Sequence, residues 1–423
     1  MRNLIFVSLE DWDEIWRRNQ FVCAELARRH AELRILFVGL PRNVSYELRH
    51  GRVAGLMRRG TYRVSGFDNV VVTHPWKLLP DSVAVGRRIN QWMFRCHVLR
   101  VAKRLGIGRA KEALLWLNPH SAVHMVGKMG EEAVVYDVTD DWIAMTQSPT
   151  LALRTEAQDA ELCKRSDAVI VCSDRLMEMK TKLAGKRLHL VPNGVDAAHY
   201  ADVMKRVLGD GGLPETARHW PRPVLGYTGT VHPDRVDVDL VEKVARQWSG
   251  SIVLLGPNHL SSADRTRLAK LSNVVLHGPV AYAEVPRYMR RFDVCIVPHR
   301  MTAFTESLNP IKLWEYLAAG KPIVSTDVAG FRDFPKLVRL ARTADEFEAA
   351  ADAALEEATT PKGNSLASER QAVAREHSWV RRVDEIERVI EEAIERRRLA
   401  DGDAMARGRK AKSPVGSGLA ADR

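Results

Sequence analysis

Short apolar runs separated by longer amphipathic stretches fill the first 190 residues. They are LIFVS from residue 4, LRILFVGL from 33, NVVVTHP from 69, ALLWLNP from 113, AVVYDV from 133, AVIVCS from 168 and HLVPN from 189. Runs that are continuously apolar, rather than alternating, belong to strands buried on both faces, and helical stretches between them supply the crossovers of a parallel sheet. The polar, glycine-rich segment Leu208 to Pro223 interrupts this pattern. It resumes with VLGYTG at 224, SIVLLGP at 251, VVLHG at 274, DVCIVPH at 293 and PIVST at 322. The expectation is an α/β protein of two Rossmann-like domains, residues 1–200 and 201–375, with ligands at the carboxyl ends of the strands facing a cleft.

Beyond the second domain, Val380, Val383, Ile386, Val389, Ile390 and Ile394 recur at near-helical spacing. One long helix is predicted from about Ser365 to Arg398, its segment 376–398 forming a separate C-terminal element. The tail 399–423 is rich in glycine, alanine and charge and reads as disordered.

The block ESLNPIKLWEYLAAGKPIVST, Glu306 to Thr326, carries charge where a buried loop, helix and strand do not call for it. Asn309 suits an N-cap and Pro310 the first helical position, so a helix is predicted from Pro310 to Ala319, ending at Gly320. Lys312 then falls in the first turn, where a cation is disfavoured by roughly 0.3 to 1 kcal/mol. A bound diphosphate would compensate it, because free N–H groups and a lysine together make an anion site. Glu315 shares the face of Lys312, and a carboxylate there can accept both hydroxyls of a ribose. The same two residues also read as a solvated pair on an ordinary helix. Farther back, Gly229 and Thr230 follow the first strand of the second half, where a glycine lets the backbone approach phosphate or merely makes a tight turn. Arg235 would add positive charge, and His299 follows the CIVP strand, at the nucleotide or on the surface.

The Glu306–Thr326 block, with KRLHLVPNGVD at residues 186–196 about 110 residues before it, resembles the donor-binding motifs of retaining GT-B glycosyltransferases of the family 4 type. The NPIKLWEYLAAGKP variant is most similar to a branch of cell-surface polysaccharide transferases that includes teichuronic-acid-type enzymes. The resemblance implies a GT-B fold whose C-terminal helix crosses back to brace the first domain. It implies that Ser307, Leu308, Asn309, Pro310 and Glu315 border the donor, Glu315 on the ribose. The family's first glutamate, which contacts the transferred sugar, falls at Ser307 by interval, whereas the acid here is Glu306. A sugar-contacting histidine is replaced by Leu117, with His120 three residues later, and EDWDEIWRRNQ stands where the family carries a glycine-rich loop.

Charge is uneven along the chain. Residues 1–130 hold 22 Lys and Arg against 10 Asp and Glu, a net of +12, which leaves 42 against 43 for the rest. No nucleic-acid motif accompanies this excess, and no nucleic-acid partner is expected. Residues 83–105 instead set Trp92, Met93 and Phe94 among Arg87, Arg88 and Arg95, as in an interfacial amphipathic helix or as a core helix with a basic outer face. Five scattered cysteines suggest neither disulfides nor a zinc site, and no apolar run is long enough for a signal peptide or membrane span. A cytoplasmic protein, peripheral on the inner face of the plasma membrane, is expected.

These readings combine into a metal-independent, cofactor-free retaining glycosyltransferase using a UDP- or GDP-linked sugar and a saccharide, glycolipid or lipid-linked acceptor. Glu306, Lys312 and Arg235 would act on the donor, Lys312 and Arg235 stabilising the departing diphosphate. Asp140 and Asp141, at the end of YDVTDDW, would bind or deprotonate the acceptor hydroxyl, or else cap the next helix. A nucleotide-sugar epimerase of the same fold and an inactive membrane-associated binding protein are the alternatives.

Overall fold

The computed structural model describes residues 2–49, 60–107, 112–145, 148–204 and 212–411. The N-terminal strands are β1 (Asn3–Val7), β2 (Arg34–Val38), β3 (Arg42–Asn43), β4 (Thr61–Val64), β5 (Phe67–Thr73), β6 (Trp76–Lys77), β7 (Ala113–Leu117), β8 (Glu131–Val138), β9 (Ala168–Val171) and β10 (Leu188–Leu190). Eight of them form one sheet in the order β10-β9-β8-β7-β1-β2-β5-β4, parallel except for the edge strand β4. A second, parallel sheet contains β11 (Val224–Thr228), β12 (Ser251–Leu255), β13 (Val274–Gly278), β14 (Val294–Val297), β15 (Ile323–Thr326) and β16 (Val338–Ala341) in the order β13-β12-β11-β14-β15-β16. All twelve apolar runs are strands. The strands absent from the sequence reading, β3, β4, β6 and β16, are two-residue bridges or half-polar edges with no continuous apolar run.

Chain order reverses at β1, which lies between β7 and β2, and at β11, between β12 and β14. The strand ends diverge there, so each sheet opens a crevice at its carboxyl edge. Apolar side chains cover both faces of each sheet: Ile5, Leu115 and Val134 lie in one cluster of the first domain, and Leu4, Phe6 and Trp116 in the other.

The C-terminal segment differs from the single helix predicted. Two helices, Pro361–Glu376 and Trp379–Ala411, break at His377 and Ser378. The cause is tertiary: Val195 N–H donates to the His377 carbonyl at 3.0 Å, and Trp379 N–H donates to the Val195 carbonyl at 3.2 Å. This explains the glycine of PNGVD, since a Cβ on Gly194 would lie 2.9 Å from the Trp379 nitrogen. Past the break, Trp379, Val383, Ile386, Ile390 and Ile394 bury against the first domain, with Trp379 stacked on Phe21 at 4.9 Å. The helix continues to Ala411 where a disordered tail was expected from 399, because alanine, arginine and lysine sustain helix despite the two glycine and aspartate positions. Residues 412–423 lie outside the described residues.

Candidate active site

A cavity of about 500 Å³ lies where the two carboxyl edges face each other. Its C-terminal wall is set by loop and helix contacts. Gly229, at φ +124°, follows β11, and its N–H donates to the Leu255 carbonyl at 2.9 Å. Gly256 after β12 permits this approach, because a Cβ there would sit 2.1 Å from the Gly229 carbonyl oxygen. Thr228 N–H donates to the buried Tyr316 hydroxyl at 2.8 Å, which locks the end of β11 to the helix Ile311–Ala319.

That helix begins one residue later than predicted, at Ile311, with Pro310 as an N-cap that has no side-chain bond. Asn309 is engaged across the domain junction instead: its Oδ1 accepts the Asn193 N–H at 2.8 Å, and its carbonyl accepts Asn193 Nδ2 at 2.5 Å. The family-like motifs PNGVD and NPIKLWE therefore meet through their asparagines. The buried Ser173 hydroxyl adds a 2.6 Å bond to the Ser307 carbonyl.

Lys312 extends from the first turn into the cavity, its Nζ 5.0 Å from the Tyr227 ring centre. Burial and the nearby Arg235 guanidinium lower its pKa to about 7, against the opposing pull of Glu315. Arg235 lines the same cavity, anchored where its carbonyl accepts Arg300 N–H at 2.7 Å. Lys312, in the first turn of its helix, therefore shares the cavity with Arg235, and burial holds the lysine partly neutral. Glu315 accepts the Tyr200 hydroxyl at 2.9 Å, and burial raises its pKa. His299 is buried, 3.3 Å from the Tyr227 hydroxyl, and burial holds its pKa well below the usual value, so it faces the site as a neutral ring.

The opposite wall belongs to the first domain. Glu10 after β1 has its pKa pushed up to about 7, chiefly by burial, with Arg17 opposing and Asp140 adding to the shift. Asp140 after β8 is also raised by burial, with Arg235 opposing. Arg18, Asn19, Asn118 and Asn193 line the same side. The segment carrying Glu10 reaches across the cleft: the Glu14 carbonyl accepts Tyr282 N–H at 2.8 Å, and Trp16 stacks on Tyr282 at 6.0 Å.

Of the residues singled out in the sequence, Gly229, Thr230, Arg235, His299, Leu308, Asn309, Pro310, Lys312, Glu315 and Asp140 line this cavity. Glu306, Ser307 and Asp141 do not. Glu306 borders a second cavity and is bound through both oxygens by Arg332, at 2.8 and 2.9 Å. Ser307 is fully buried and donates to the Phe304 carbonyl at 2.7 Å. Asp141 borders the second cavity too, where its Oδ1 accepts the Ile143 and Ala144 N–H groups of a local turn; the next helix, Pro149–Arg165, has Ser148 at its N-cap, so Asp141 does not cap it. Glu10, Arg18, Asn19, Tyr200 and Tyr282 were missed. The signal for Glu10 was the acidic EDWDEIWRRNQ loop in place of a glycine-rich one; Tyr200 and Tyr282 arrive from distant segments and carried no local signal.

On the long helix Ala84–Arg104, Val85, Arg88, Ile89, Trp92, Leu99 and Arg100 form an outward stripe. Trp92 is 60% exposed. Phe94 turns inward against the core and meets His124 edge-on at 5.8 Å. Arg95 is also turned in, toward the His124 carbonyl, and Arg87 donates to the Asp81 carbonyl at 2.6 Å. The surface grouping of Arg87, Phe94 and Arg95 with Arg88 and Trp92 is therefore corrected: a period of 3.6 residues puts position 94 opposite 92.

Two Rossmann-like domains whose carboxyl strand ends face one cavity define the GT-B class of fold. Residues 222–357 match the family described as glycosyl transferases group 1. Over 215 residues the chain is 29% identical to the Bacillus subtilis (strain 168) protein TuaH, named for a role as a teichuronic acid biosynthesis glycosyltransferase. That alignment covers 47% of this chain and spans about half of the relative, 51% of its length. Anabaena Alr3699/HepE, solved in complex with UDP and glucose, has a TM-score of 0.61 at 16% identity, covering 92% of this chain and 99% of that one. An E. coli trehalose-6-phosphate structure bound with UDP-2-fluoro glucose has a TM-score of 0.62 at 12% identity, covering 93% and 99%.

Proposed function

We propose that the protein is a retaining glycosyltransferase that carries a sugar from a nucleotide-diphosphate sugar to a saccharide or lipid-linked acceptor. The observation that carries this reading is the convergence of Lys312, Arg235 and Glu315 on one cavity at the carboxyl end of β11. The two cations and the helix N-terminus would hold the diphosphate and stabilise its charge as the glycosidic bond breaks, while Glu315 holds the ribose. UDP and UDP-sugars in the solved structures of the same fold support a uridine nucleotide as donor. The attacking hydroxyl would approach from the Glu10 and Asp140 side, and the leaving diphosphate would accept its proton.

Organic cations supply the positive charge here, so transfer is expected to proceed without a metal ion. Purified protein given UDP-glucose or related donors together with a simple glycoside acceptor in chelator should release nucleoside diphosphate, with the new linkage keeping the donor's anomeric configuration by NMR. Absence of nucleotide-sugar binding overturns the reading. Loss of turnover in chelator with recovery in manganese would move the charge stabilisation from Lys312 and Arg235 to a metal.

The outward stripe of the Ala84–Arg104 helix supports a place on an anionic membrane surface. No helix among the described residues is long and apolar enough to cross a membrane. Apolar Val85, Ile89, Trp92 and Leu99 lie beside Arg88, Arg100, Lys103 and Arg104, all exposed. Each basic residue near such a surface contributes about 1 kcal/mol, screened within a Debye length. Cosedimentation with phosphatidylserine vesicles is expected at low salt and release at high salt. Trp92→Ser should weaken binding with the unfolding midpoint unchanged, whereas Phe94→Ser should lower the midpoint. No sedimentation of the parent protein at low salt excludes this surface.

A further inference from the structure

Lys312 and Arg235 are each held against an aromatic ring. Arg235 Cζ lies 5.4 Å from the Phe304 ring centre and Lys312 Nζ 5.0 Å from that of Tyr227, both inside the roughly 6 Å over which a ring face attracts a cation. Neither side chain makes a hydrogen bond or ion pair among the described residues. Glu315, Asp140 and Glu10 share the cavity with them, but none forms an ion pair with either. The rings themselves are fixed. The Tyr227 hydroxyl donates to the Thr230 carbonyl at 3.0 Å, and Gly229 leaves room for the lysine, because a Cβ there would meet Lys312 Cε at 3.2 Å. Phe304 belongs to the loop after β14, whose Arg300 N–H donates to the Arg235 carbonyl at 2.7 Å, so one loop holds that arginine by backbone and by ring. Thr305 Oγ1 closes the loop by donating to the Arg300 carbonyl at 2.7 Å. Phe304 is 4% exposed yet joins none of the apolar clusters among the described residues, so core packing does not account for it.

A carboxylate partner would fix these cations too, but it would cancel their charge and compete with an anionic ligand. A ring face attracts through its quadrupole and leaves the cation its full charge. We propose that Phe304 and Tyr227 are positioning residues, which hold Arg235 and Lys312 toward the donor diphosphate with their charge uncompensated. The proposal rests on the nucleotide-sugar reading and adds how its two cations are kept in place. It also gives the loop after β14 a part in donor binding through Phe304, although its acid, Glu306, is taken up by Arg332.

UDP and uridine share base and ribose and differ in the diphosphate, so the ratio of their affinities for the full chain, by calorimetry, reads what holds the diphosphate. The parent is expected to favour UDP. Phe304→Leu keeps a buried apolar side chain but loses the ring face, and it should cut that preference roughly three- to thirtyfold with uridine affinity unchanged. Phe304→Trp keeps a ring face and should retain the preference. In an Arg235→Ala background, adding Phe304→Leu should cost nothing further, because the ring acts through the guanidinium. Tyr227→Phe should likewise hold the preference and Tyr227→Leu lose it, the loss vanishing in Lys312→Ala. Should a leucine variant unfold, pentafluorophenylalanine at the same position keeps the shape, reverses the polarity of the ring face and must lower the preference. A Phe304→Leu protein with the parent's preference overturns the proposal, as does an equal loss in the Arg235→Ala background or a fall in uridine affinity as large as that in UDP. A parent that binds UDP no better than uridine is a different failure, because it removes the diphosphate reading itself and this proposal with it.

Discussion

Replacing Lys312 with alanine is expected to lower donor turnover by roughly 100- to 1,000-fold, the range for removing one preorganised charge from a reacting centre. The lysine lies in the cavity beside Arg235 and over the Tyr227 ring, where its pKa is about 7. Its protonated form binds diphosphate, so nucleoside diphosphate affinity should rise as pH falls through 7 and level off once Lys312 is fully charged. At pH 8 binding must then draw a proton from solvent, which calorimetry in buffers of different ionisation enthalpy measures. Glu10 across the cavity also titrates near 7, and Glu315 and His299 border the same space. Lys312→Arg separates the contributions, because a guanidinium stays charged throughout. Proton uptake at pH 8 that persists in full in Lys312→Arg would assign the effect to Glu10 or Glu315 instead.

Glu315→Ala is expected to weaken nucleoside diphosphate binding by about 1.5 to 3 kcal/mol, roughly 10- to 150-fold, through loss of charge-assisted bonds to the ribose. The same change strips the fully buried Tyr200 hydroxyl of its acceptor, 2.9 Å away, so thermal stability should fall as well. Glu315→Gln keeps an acceptor for Tyr200 but loses the charge. Calorimetry should therefore show Glu315→Gln stable yet still weak for the diphosphate. A Glu315→Gln protein with parental nucleotide affinity would show that the side chain serves Tyr200 and the fold rather than the ribose.

What sequence could show depended on the distance over which each feature is decided. The strands follow from continuous apolar runs, and each run carries its own cause in two-sided burial. The Ile311–Ala319 helix was legible for the same reason: its turn residues and its misplaced first-turn lysine lie within ten positions, and Gly320 ends it at φ +70°. The outward face of Trp92 was also fixed locally, by helical period, although treating Phe94 as its neighbour on the surface overlooked that period.

Other features had causes far away in the chain. Glu306 was assigned to the donor by its position in a motif, but Arg332, 26 residues later, holds it at the second cavity. The break at His377 is made by Val195, and Asn309 serves Asn193 instead of capping its own helix. Glu10 and Asp140 lie 130 residues apart and meet only because β1 and β8 both end at the cleft, flanking β7. Which segments are strand and helix could be read from local sequence, because those preferences are settled within one or two turns. The tertiary structure alone decided which charged side chains share the cavity, since that depends on sheet order and domain docking, which bring together groups that no local preference connects.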